Sequence, residues 1–276
     1  MTGTLVQIIT ITAFGNEFLR NGKLTEFYPE NSSFQFCDFV DFREIKKKNF
    51  FTAKKEIITA KNPLDWFGNL KKNGCTKLRL FHQTEKENDH QLAGFVGGGG
   101  NWFIETVYPN HSDFWIGNWN HDKNLTEKPW QVTYGKAVEK QPTRNQQFDL
   151  KTTRNELNSI LEKITDFAFK ETTENWGNIF EKAKETLNSE KPEVDFYHND
   201  LISIKNYDLQ NRQLLLSASK AFVFGGMGSW NDMGFENEET NKKYNELSTE
   251  LYNTMNQAIV CAINNDRIEK PVANNV

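Results

Sequence analysis

Hydrophobic positions recur with two different periods along this chain, and the period changes near residue 142. Before that point apolar residues alternate or run in short blocks. After it they recur every three to four residues. Leu5–Thr12 alternates and predicts a strand, followed by a turn at Arg20–Lys23, where Asn21-Gly22 is a hairpin signal. Phe34–Phe42 alternates with period two and predicts another strand. Asn62-Pro63 supplies an N-cap and a proline at the first helical position, so a short helix follows, with Trp66, Phe67 and Leu70 on its inner face. Lys71, Lys72 and Gly74 suit its C-terminus. Further strands are predicted at Lys77–Gln83, Gln91–Val96, Trp102–Tyr108, Phe114–Trp119 and Gln131–Glu139, with a polar turn through Glu85–Asp89.

Beyond Gln141-Pro142 the helical period takes over. Thr153-Arg154-Asn155-Glu156 reads as a capping box, and Leu157, Ile160, Leu161, Ile164 and Phe167 follow at helical spacing. A second helix is predicted at Glu174–Asn188, carried by Trp176, Ile179, Phe180, Ala183 and Leu187. A short strand is expected at Leu201–Lys205, then a helix at Leu209–Phe222. Asn237 caps a long helix to about Asn264 whose apolar stripe includes Tyr244, Leu247, Leu251, Met255 and Ile259. The expected fold is α+β. A mostly antiparallel β-sheet forms the N-terminal part, residues 1–142, with one short helix. A helical C-terminal part, residues 150–266, packs against it in one compact unit.

Composition adds that the chain folds. Its 276 residues include 22 Phe and 7 Trp, too many for a disordered protein. No run reaches the roughly 18 apolar residues of a membrane span. The N-terminus lacks the basic region and cleavage site of a signal peptide. Cys37, Cys75 and Cys261 are an odd number, far apart and without a CxxC pair, so neither disulfides nor cysteine-held zinc are expected. These features predict a soluble cytoplasmic protein without membrane association. Charge is uneven: Arg43–Lys86 holds twelve Lys or Arg against four Asp or Glu, in a chain of net charge -4. That stretch is either a face for an anionic partner or an ordinary solvated surface. An isoelectric point near 5.8 argues against general nucleic-acid binding.

Candidate chemistry is sparse. Asp38 shares its strand parity with Phe34, Phe36, Val40 and Phe42. It is either a carboxylate on an apolar face or an acid turned outward by a β-bulge. His111, Asp113, His121 and Asp122 flank one strand and offer imidazole and carboxylate, the donors of zinc or iron and the acids and bases of a hydrolase. A strand of that length separates the two histidines by about 30 Å, so one site needs the chain to fold back. Solvated loop histidines are the competing account, and no metal or cofactor is predicted. No GxSxG elbow or phosphate loop is present, since Gly97–Gly100 leads through Asn101-Trp102 into a strand.

The sharper feature is a pair of glycine- and tryptophan-rich stretches. Leu92–Trp119 carries Gly97–Gly100 with Trp102, Trp115 and Trp119; Phe224–Asp232 carries Gly225, Gly226, Gly228 and Trp230. Permissive backbone beside large aromatics and amides suits a binding loop. The expectation is that the stretches approach each other across the seam between sheet and helices. Asn101, Trp102, Trp119, Trp230, Asn231 and Asp232 would then contact a protein or small-molecule ligand. The alternative is that the glycines only permit turns and the tryptophans are core. The function expected is a binding protein, with a hydrolase around His111–Asp122 as the alternative.

Overall fold

The computed structural model describes residues 1–24, 26–46, 55–84, 89–94, 98–143 and 147–266. The chain opens with a helix rather than the predicted strand: α1 spans Gly3–Asn21. Alternating Ile and Thr fit either period. The helix prevails because Leu5–Ala13 is buried on every side, where a strand would need pairing partners along both edges. The hydroxyls of Thr10 and Thr12 donate back to the carbonyls of Val6 (2.9 Å) and Ile8 (2.7 Å), so these polar groups are satisfied within the helix. Burying Leu5, Val6, Ile8, Ile9 and Ile11 contributes about 1.5–3 kcal/mol each. Asn21-Gly22 ends this helix instead of turning a hairpin. Gly22 adopts φ 76° and its N–H donates to Phe18 O at 2.7 Å.

Six strands follow: β1 (Cys37–Lys46), β2 (Lys55–Ala60), β3 (Lys77–Gln83), β4 (Asn101–Val107), β5 (Ser112–His121) and β6 (Trp130–Gln141). They form a mixed sheet in the order β2-β1-β6-β5-β4-β3. The β1–β6 pair is parallel and the others are antiparallel. In β1 the register shifts between Cys37 and Phe39, and this bulge turns Asp38 outward, where it accepts from Gln131 Nε2 at 3.3 Å. Helix α2 (Pro63–Lys72), capped by Asn62, inserts Trp66 flat on Phe42, with ring centroids 4.2 Å apart.

Helix α1 lies on the face of the sheet that carries Leu78, Tyr134 and Trp115. Gln7 accepts from the Tyr134 hydroxyl at 3.2 Å, and the Leu78 side chain fills the space beside Gly15. Among the described residues β3 ends the sheet, and two asparagines cover its free edge. Asn16 of α1 exchanges hydrogen bonds with the backbone of Leu78 (2.7 and 2.9 Å). Asn264 does the same with Leu80 (2.7 and 2.8 Å). Each side-chain amide takes the place of a peptide group in a neighbouring strand and blocks further pairing.

The predicted strand at Gln91–Val96 is not formed. Asp89–Leu92 makes a single helical turn, α3, and residues 95–97 lie outside the described residues, as does most of the expected turn at 85–89. The C-terminal part is helical, with α4 (Leu150–Glu171), α5 (Glu174–Leu187), α6 (Leu209–Lys220) and α7 (Glu238–Asn264). Helix α4 starts ahead of the expected capping box, at Asp149, whose carboxylate accepts the N–H groups of Lys151 and Thr152 (3.0 and 3.1 Å). Leu201–Lys205 is a series of turns, not a strand. It is held across α1, where Asn206 donates to Glu17 at 2.6 Å and Asn31 donates to Asp200 O at 2.7 Å. The helical part thus meets the sheet through α1 and through α7, which packs along β3.

Candidate binding groove

The first glycine stretch docks on α7 through backbone. The buried Tyr252 hydroxyl donates to Gly99 O at 2.6 Å, and His82 Nε2 donates to the same carbonyl at 3.2 Å. Gly99 and Gly100 have φ of 80° and 79°. A Cβ on Gly99 would sit 2.7 Å from the Tyr252 oxygen, and one on Gly100 2.6 Å from Gln83 O, so close approach requires glycine at both. Asn101 and Trp102 begin β4 and are half-buried; the Trp102 ring lies 4.3 Å from that of His82. On α3, buried His90 approaches Thr249 Oγ1 at 3.4 Å, and its Nε2 has no hydrogen-bond partner among the described residues. Burial lowers the pKa of both His82 and His90, opposed in part by Asp89. Burial also pushes Tyr252 up to about 12.

The second stretch reaches the same place from the other side. Phe224 packs edge-on against Tyr252, with centroids 5.0 Å apart, and lies 6.1 Å from the His90 ring. Gly94 sits so close to Gly225 that a Cβ would fall 1.8 Å from its carbonyl oxygen. The Asn231 side chain organises this loop. Its oxygen accepts from Gly225 N (3.1 Å) and Ser229 Oγ (2.5 Å), and its nitrogen donates to Gly225 O (3.1 Å) and Gln91 O (3.4 Å). Exposed Asp232 caps the turn by accepting from Gly228 N.

Trp230 points the opposite way and is fully buried. Its indole N–H donates to Ser248 Oγ at 2.8 Å, and its ring packs among Trp176, Phe180 and Tyr244. Trp119, half-buried on β5, packs on Trp130 with ring centroids 5.8 Å apart. The structure therefore brings Gln91 and Gly94 directly against residues 224–231, with Gly99 reaching Phe224 through Tyr252, and leaves Trp119 apart.

Beside this junction a groove of about 480 Å³ opens between the start of α1 and the first turns of α5. Trp176, Ile179 and Phe222–Gly225 line it, with Thr2 and Lys220 as polar neighbours. The Lys220 amine donates to Val194 O at 3.1 Å, and burial lowers its pKa. An ammonium carries three N–H groups, so two remain for a ligand. No protein-family model, curated protein or solved structure matches this chain. Reading the sequence alone passes over Trp176, Ile179, Lys220 and Phe222, because a helix-spaced aromatic and a terminal lysine have the pattern of ordinary core and cap. The only signal was the apolar run Phe222–Phe224 ahead of the glycines.

Of the other sequence candidates, His111 and Asp113 come together, with Nε2 3.9 Å from Oδ1, but they do not meet His121 and Asp122 at the other end of β5. His111 stacks on Tyr108 at one end of β5, and His121 packs on Trp130 at the other. Asp113 is buried and held by Lys136 Nζ (3.0 Å) and Lys140 N (2.8 Å); Asp122 caps a turn at Asn124. Among the described residues no group of three or more His, Cys, Asp or Glu is arranged to hold a metal, and no helix is long and apolar enough to cross a membrane. In the basic stretch, Arg43 pairs with Asp41, Arg79 with Glu105 and Lys77 with Asp266, while Lys47, Lys48, Lys54 and Lys86 lie outside the described residues.

A Ser–His–Asp cluster absent from the sequence reading joins Ser32, His198 and Asp200. The Ser32 hydroxyl donates to Asp200 Oδ1 and lies 2.7 Å from His198 Nδ1, and Asp200 Oδ2 accepts Ser32 N at 2.7 Å. The serine has one proton, which goes to the carboxylate, so the imidazole donates to the hydroxyl and cannot deprotonate it. The order differs from that of a nucleophilic triad, in which the histidine stands between the acid and the serine. The cluster clips the 193–207 segment to the turn at Ser32–Phe34.

Proposed function

We propose that this chain is a binding protein whose ligand-accepting surface is the groove between the start of α1, helix α5 and the loop after α6, beside the junction of the two glycine stretches. The observation that carries this reading is an apolar cleft of about 480 Å³ with Lys220 at its rim. Its volume lies within the range of small-molecule sites, and its lining is mostly apolar. The groove suits an apolar group with an anionic end, the tail against Trp176, Ile179 and Phe222 and the anion on Lys220. Three buried, unpaired cysteines fit a reducing compartment, in keeping with a cytoplasmic location. Calorimetry with octanoate and octylamine tests the reading. Octanoate should bind, and Trp176→Ala or Lys220→Met should weaken it at least tenfold. Equal binding of the amine, or octanoate binding unchanged in both variants, would contradict it.

A further inference from the structure

A second surface lies beyond the groove, on the segment between α5 and α6. Val194, Tyr197 and Ile204 are 55%, 70% and 58% exposed, and Phe36 is 57% exposed. These are four of the nine large hydrophobic side chains exposed among the described residues, and three of them fall within residues 194–204. Gln35 Nε2 donates to the Tyr197 hydroxyl at 2.6 Å, bringing the Phe36 turn against the segment. Ile204 shares a small crevice with Phe196 and His198, whose ring meets Tyr197 at 4.8 Å.

The segment has no regular secondary structure, yet it is pinned along its length. Arg212 pairs with Glu193, Lys220 holds Val194 O, Asn31 and Ser32 hold Asp200, and Asn206 reaches Glu17. Apolar side chains displayed on a fixed backbone lose little further entropy on association, which is the construction of a docking surface. Charge identifies the occupant. Residues 26–38 contain three carboxylates and no Lys or Arg, and residues 189–208 contain five carboxylates against two lysines. Glu30, Asp38, Glu190 and Asp195 are exposed along these two stretches and outnumber the exposed Lys191 and Lys205. An acidic face repels anionic lipid, nucleic acid and a second copy of itself, and it attracts a cationic surface.

We propose that Phe36, Val194, Tyr197 and Ile204, with their surrounding carboxylates, form a docking face for a basic protein that presents aliphatic anchors among lysines or arginines. This face adjoins the groove, whose Lys220 holds Val194 O, but its test does not depend on the groove binding anything. The probe is a synthetic amphipathic Lys/Leu helical peptide, with a Glu/Leu peptide of equal length as control, titrated into the ¹⁵N-labelled full chain. The Lys/Leu peptide should shift amides at 35–37 and 194–204, and should bind at least tenfold more weakly in 300 mM than in 30 mM salt. Tyr197→Ser with Ile204→Ser should weaken it at least tenfold at unchanged Tm. Glu30→Lys with Glu190→Lys should weaken it by a similar factor without touching an apolar side chain. Shifts confined to residues 176–179 and 220–225, equal affinity for the Glu/Leu peptide, unchanged binding in both double variants, or self-association through this face would each overturn the proposal.

Discussion

Gly99 and Gly226 belong to stretches of similar composition, but a methyl group would be received differently at each. At Gly99 the backbone is left-handed and a Cβ would meet Tyr252 and Ala93 within 3 Å; at Gly226 nothing lies within 4 Å. The tryptophans divide the other way. Trp102, in the tightly packed stretch, is half-buried, whereas Trp230, in the open one, is fully buried. In the first stretch glycine serves close packing on α7 and the aromatic is peripheral. In the second the aromatic anchors the loop in the helical core, and Gly226 and Gly228 face solvent beside the groove. Glycine content alone does not locate a site; what surrounds the missing Cβ does.

The largest test of this division is a pair of truncations. Trp230→Ala should destabilise the fold by about 3–5 kcal/mol, the usual result for a buried tryptophan, while Trp102→Ala should cost less than half as much in the same denaturant titration. Equal losses would mean that the two rings do the same job. Gly99→Ala should cost about 1–3 kcal/mol through strain and overpacking. Gly226→Ala should stay within about 0.5 kcal/mol of the parent. A neutral Gly99→Ala would show that the first stretch is not tightly docked on α7.

A smaller effect separates the stretches by pH. Burial holds His82 and His90 below their ordinary pKa of 6.5. As pH falls through 6.5 the unfolded chain takes up protons before the folded one. The stability contribution is therefore full above 6.5 and is lost as pH drops toward the lowered folded values. Tm should decline from pH 7 to pH 5, and the decline should shrink in His82→Gln with His90→Phe. The remainder belongs in part to His198, whose pKa burial also lowers. A decline unchanged in the double variant would place its cause outside the two histidines beside the first stretch.

Much of the fold is legible along the chain. The α2 cap and inner face, the span of β3 and the capping of α7 at Asn237 all follow from local signals that agree with their tertiary setting. Leu5–Thr12 misleads because a helix buried on every side has no polar face to reveal its period. Asn21-Gly22 misleads because a hairpin and a helix C-cap need the same left-handed glycine. The parallel β1–β6 pairing joins strands about ninety residues apart, and no local pattern announces it. The meeting of the two glycine stretches could be anticipated from composition. The groove walls Trp176 and Phe222 could not, since nothing local distinguishes the exposed side of a helix-spaced aromatic from a buried one.

The account rests on Phe222–Gly225 being a ligand surface while residues 98–102 are packing. Amide shifts of the ¹⁵N-labelled chain during titration with octanoate read this residue by residue. The expected result is saturable shifts at 176–179 and 220–225, with residues 98–102 unmoved. Shifts centred on Gly99–Trp102, or none in the groove at millimolar octanoate, would contradict it.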